Sequence, residues 1–173
     1  MKRIYLALGV YSVLFLLVIG GLGLYVHSGG ASDGVRGWHL TGGLVTAIFI
    51  CFVHSTVFIH LLGTGLGVKR AIEEHALDED AKGELYRIKM RAFPPCFASM
   101  VATIATAVLG GAALSGHPTA HLVLAIVALA ANVLTLPIAV RALADNETLI
   151  ARVEAALAKK VAAVAAAGVK PPV

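Results

Sequence analysis

Four long uncharged apolar runs, separated by short polar stretches, set the pattern of the chain. Residues 4–26, 40–66, 93–114 and 119–140 contain no Asp, Glu, Lys or Arg. Each is long enough for a helix to cross a bilayer, which takes ~20 apolar residues. In lipid every backbone polar group must be satisfied within the structure, and helices do this within one segment. The pattern predicts an all-α fold: an integral membrane four-helix transmembrane bundle with a cytoplasmic helical loop and an amphipathic C-terminal helix.

The polar stretches refine this reading. Residues 27–38 hold several Gly and Ser and read as a short link, with Trp38 suited to the membrane interface. The second helix is expected to begin near His39. Residues 68–91 form the main soluble loop: a helical continuation, a turn around Asp78, Glu79 and Asp80, and a further helical stretch capped by Asp78. Leu77, Ala81, Leu85 and Ile88 give that stretch one apolar face. Pro94 and Pro95 are expected in the first turn of the third helix, where a missing N–H costs least. His117 reads as an N-cap and Pro118 as the first position of the fourth helix. Pro137 is placed to kink that helix near its inner end.

Beyond Arg141 the pattern changes. Leu149, Ile150, Val153, Leu157, Val161 and Val164 fall on one helical face, among charged residues. This predicts a separate amphipathic helix from near Glu147, lying on the membrane or packed on a partner. The domain reading is therefore a transmembrane unit, 1–141, and an amphipathic helix with its tail, 142–173.

Composition agrees with a membrane setting. The chain of 173 residues is 58% hydrophobic and 14% charged, against ~25% charged in soluble domains. The net charge of +4 does not imply a nucleic-acid partner, because the basic residues flank the apolar runs and meet lipid there. Of 14 Lys and Arg, only Arg36 falls in the links 27–38 and 115–118. The positive-inside rule then places both termini and the 68–91 loop in the cytoplasm. The expected location is a bacterial inner membrane. The first run exceeds a typical signal-peptide core and is read as a retained helix. Gly20, Gly21 and Gly23 near its end suit close helix approach. Cys51 and Cys96 sit at different depths and read as separate buried thiols.

The candidate chemistry is histidine. Counting inward from the outer face, His54, Thr103 and Asn132 reach similar depth, with Ser55 and Thr106 close by. They form a candidate midplane polar layer that either fixes helix register or serves a cofactor, a quinone or a proton step at His54. His60 lies nearer the cytoplasm, about 120° around the helix from His54, and is expected to bond a carbonyl freed by the prolines. His27, His39, His117 and His121 collect at the outer end, a candidate metal set. His117 and His121 stand at i,i+4 spacing. Imidazole suits Zn, Cu, Fe and Ni, and His39 with His121 is the best axial pair for a haem b. No phosphate-loop, dinucleotide or zinc-protease motif is present, and no span holds an Asp or Glu, which argues against a carboxylate-driven pump.

In size and in placing histidines on several helices, the chain is similar to bacterial cytochrome b561-type haem proteins. It departs from them at the inner end of the fourth helix, which has no histidine, and in the His54–His60 spacing. The expected function is a small membrane subunit of a redox or respiratory-type complex, binding haem b or contacting quinone and docking other membrane subunits. The alternatives are a cofactor-free structural or assembly subunit, and an outer-face copper or zinc handling protein.

Overall fold

The computed structural model describes residues 1–113 and 118–166. These form four helices: α1 (Lys2–His27), α2 (Asp33–His75), α3 (Asp80–Ala113) and α4 (Pro118–Ala166). All four are long and apolar enough to cross a membrane. The chain is a multi-pass membrane protein, an all-α four-helix bundle.

Three helices run far past the apolar spans. At 1.5 Å per residue, α2, α3 and α4 are about 65, 51 and 74 Å long, against ~30 Å of bilayer hydrocarbon. Their projecting ends pack together beyond the apolar zone. Ile72 of α2, Leu85 and Ile88 of α3, and Leu149 and Val153 of α4 are buried in one core there. The first part of the face predicted for an amphipathic tail, Leu149, Ile150 and Val153, thus packs on the α2–α3 hairpin of its own chain, while Val161 further along it is exposed. That segment does not start afresh near Glu147; it continues α4 without a break.

Helix boundaries differ from the sequence reading in two further places. α2 starts at Asp33, because Ser32 is an N-cap whose hydroxyl accepts from the Val35 N–H at 3.5 Å. Gly34 and Gly37, two of the glycines that suggested a link, sit in its first turns. Pro94 and Pro95 lie inside α3 and not in its first turn. Buried packing on both sides of the prolines, through Ala92 and Cys96, holds the helix through them.

α1 packs on α2 and α4, and α3 on the same two, while α2 and α4 also touch across the middle. The cross-section is a rhombus with α2 and α4 on its short diagonal. This brings histidines of those two helices together. Ion pairs tie the projecting ends: Arg91 with Asp145 and Arg152 with Glu84 join α3 to α4. Lys82 bridges Glu73 of α2 at 3.1 Å.

Candidate functional site

Two polar assemblies occupy the bundle. The first is a chain of side-chain hydrogen bonds at the middle of the spans, with one member on each helix. His54 (α2) and Asn132 (α4) are both buried. The Nε2 of His54 lies 3.0 Å from Oδ1 of Asn132, and an amide oxygen only accepts, so Nε2 carries the proton. Nδ1 is left with its lone pair, and the hydroxyl of Tyr5 (α1) donates to it at 3.2 Å. Asn132 Nδ2 in turn donates to Thr103 Oγ1 (α3) at 3.1 Å and to the Ala128 carbonyl at 2.8 Å. Thr103 donates to the Ser99 carbonyl at 2.7 Å. Every donor points the same way round the bundle.

The space beside this chain is small. A cavity of about 10 Å³, lined by Tyr5, Gly9, Ser12, Val53, His54, Asn132 and Leu136, compares with the ~10–15 Å³ that one water requires. Through their hydrogen bonds Tyr5, His54, Asn132 and Thr103 link all four helices. Ser55 is only half-buried, and Thr106 belongs to the second assembly.

That second assembly is at the other end of the spans from the α2–α3 turn. The rings of His39 (α2) and His121 (α4) stand edge to face, with centroids 6.0 Å apart. Each is held from outside the pair. His39 Nδ1 donates to the Ile19 carbonyl of α1 at 3.2 Å, and His121 Nδ1 to the Thr106 carbonyl of α3 at 3.1 Å. A backbone carbonyl cannot donate, so each Nδ1 carries a proton, and in the neutral ring each Nε2 keeps a lone pair. Two glycines make the space. A Cβ on Gly23 would come within 2.7 Å of the His39 ring, and one on Gly110 within 3.1 Å of the His121 ring.

The remaining candidates fall outside this pair. His27 ends α1 and is exposed. His117 lies outside the described residues. Among the described residues, no group of three or more His, Cys, Asp or Glu is placed to hold a metal ion. His60 Nε2 is buried with no hydrogen-bond partner among the described residues, so the expected bond to a proline-freed carbonyl is not seen at that atom. Cys96 is buried and Cys51 partly so, and both are free thiols.

Tyr5 is the member that the sequence alone does not single out. It lies in an aliphatic stretch with no polar neighbour. The available signal is a face: Tyr5, Gly9 and Ser12 recur at helical spacing, and they are the buried residues of α1. A second buried pair, Ser99 donating to Thr135 at 2.8 Å with Thr135 donating to the Pro95 carbonyl at 3.2 Å, was equally silent. Comparison with protein-family models, with curated proteins and with solved structures gives no match.

Proposed function

We propose that the chain is a redox subunit of a larger membrane assembly, carrying a metal centre between His39 and His121. The observation that supports this is the disposition of the two rings. Each imidazole is fixed in orientation by a backbone carbonyl through Nδ1, which in the neutral ring leaves the lone pair on Nε2 free. Metal-bound histidines are held in this manner, since the outer hydrogen bond sets the tautomer and the ring direction.

The spacing allows the same reading. Edge-to-face rings commonly pack with centroids about 4.5–7 Å apart, and at the observed 6.0 Å His39 and His121 are near enough for both to hold one bound group. Two protein ligands are what haem iron takes, because the porphyrin supplies the other four. Haem b is therefore the favoured group, and it would carry an electron near one membrane face. The distribution of basic residues makes that face the outer one, in a bacterial inner membrane.

A second reading has one observation in its favour. His117 precedes His121 by four residues, the spacing that puts two imidazoles on one helical face. With His39 this is a three-imidazole donor set of the kind that copper or zinc takes.

The deciding experiment is a reduced-minus-oxidised optical spectrum, with metal analysis, of chain purified in mild detergent after expression with haem supplied. A haem b band lost in both His39→Ala and His121→Ala carries the proposal. A flat spectrum with stoichiometric copper or zinc, lost in His117→Ala, moves it to the second reading. A chain with neither group is a cofactor-free assembly subunit.

A further inference from the structure

At the opposite end of the spans, a cavity of about 270 Å³ opens between α3 and α4, lined by Glu84, Arg87, Ile88, Arg91, Asp145 and Thr148. Its charges are not balanced as a simple count suggests. Asp145 is already paired with Arg91, and Glu84 with Arg152. The Thr148 hydroxyl is spent on the Ala144 carbonyl at 3.1 Å. Among the described residues Arg87 forms no ion pair. The cavity therefore presents one unneutralised guanidinium backed by two arginines that hold their own carboxylates.

Its position matters as much as its charge. Arg91 lies two residues before the uncharged run of α3, and Arg141 closes the uncharged run of α4. The cavity is where the apolar spans meet water. On the lipid side of it, Val101 of α3 and Val127 and Leu134 of α4 are exposed. Val127 and Leu134 precede Asp145 by close to whole numbers of turns, so on α4 the cavity face continues into the bilayer.

We propose that this cavity seats the phosphate of an anionic phospholipid, with the acyl chains descending the α3–α4 face. A guanidinium grips phosphate through two parallel N–H bonds, and basic pockets between transmembrane helices take anionic headgroups. The volume holds a glycerophosphate head and not a whole lipid, whose tails stay in the bilayer. A zwitterionic lipid brings an ammonium of its own into a site that already has a cation in surplus.

The test is thermal unfolding of the full chain in detergent micelles, supplemented with phosphatidylglycerol, phosphatidylcholine or inorganic phosphate. Phosphatidylglycerol alone is expected to raise the midpoint. Arg87→Gln is expected to lose that rise, while Arg36→Gln, a charge removed at the far end, keeps it. Equal rises with both lipids, or an undiminished rise in Arg87→Gln, overturn the proposal. A rise reproduced by inorganic phosphate overturns the lipid assignment. Native mass spectrometry of the unsubstituted chain reads the same point independently of any variant. Retained phosphatidylglycerol under conditions that strip phosphatidylcholine supports the site, and loss of both counts against it.

Discussion

The hydroxyl of Tyr5 and Nδ1 of His54 lie 3.2 Å apart, joining the start of α1 to the middle of α2. This bond makes the histidine a link between Tyr5 and Asn132, and makes Asn132 the branching member of the chain. Asn132→Ala removes three hydrogen bonds and strands the His54 Nε2–H. The expected cost is about 1–3 kcal/mol. Thr103→Ala removes one bond to Asn132 and is expected to cost roughly 1 kcal/mol or less. Unfolding in detergent measures both; equal losses would show that the network is not centred on Asn132.

The glycines of α1 separate packing from ligand binding. Gly23→Ala puts a methyl against the His39 ring, whereas Gly20 and Gly21 have nothing within 4 Å of an added Cβ. Gly23→Ala is expected to lower occupancy of the proposed His39–His121 centre without removing either imidazole. Gly20→Ala and Gly21→Ala are expected to leave it unchanged. The same spectrum and metal analysis report all three. Full occupancy in Gly23→Ala would mean that the ring position does not matter.

The turn between α2 and α3 holds a correctable strain. Ala76 caps α2 with φ 44° and ψ 54°, the left-handed region that costs a residue with a Cβ roughly 1–2 kcal/mol. Ala76→Gly is expected to raise stability by about 1 kcal/mol, or a midpoint gain of roughly 2–4 °C at this chain length. The Lys160 ammonium of α4 donates to the carbonyls of His75 and Ala76, where a cation favours a helix C-terminus. Lys160→Ala is expected to speed amide exchange at that turn, and exchange as slow as in the parent would exclude a capping role.

Glu147 predicts an acid limb. The N-terminal ammonium bonds its carboxylate at 2.8 Å, and the Lys2 N–H adds a second bond at 3.2 Å. In that order, these hold the carboxyl below its usual range. A folded pKa that is depressed gives stability present above the unfolded value, about 4.3, and lost as pH falls through the folded one. Glu147→Gln is expected to flatten the stability profile below about pH 4.3. Its effect near neutral pH should be small, because the pair is partly exposed. Parallel acid limbs in parent and variant would assign the loss to other groups.

The spans were legible because an uncharged run of twenty-odd residues has few other uses. The ends of the helices were not. Pro94, Pro95 and the glycines after Ser32 carry local signals for a break, and burial against neighbouring helices outweighs them. The alternation of apolar positions past Arg141 was visible, yet pattern alone does not say what covers such a face. Here Ile72, Leu85 and Ile88 of the same chain cover its first part. Counting residues inward from the links is enough to set His39 beside His121 and His54 beside Asn132. It cannot find Tyr5, because depth says nothing about which way a side chain points. Nor can it reveal the two carbonyls that orient the outer imidazoles, since those belong to Ile19 and Thr106.

The one-way order of the midplane bonds has a consequence for ion traffic. A proton hopping along such a chain must enter each group at one atom and leave from another. Tyrosine, histidine and threonine can do this, but the Asn132 amide accepts only at oxygen and donates only at nitrogen. The cavity beside it, of about 10 Å³, has room for about one water and not for a file of them. The layer is a dielectric plug: its bonds offer a hopping proton no continuous relay through the middle of the bundle.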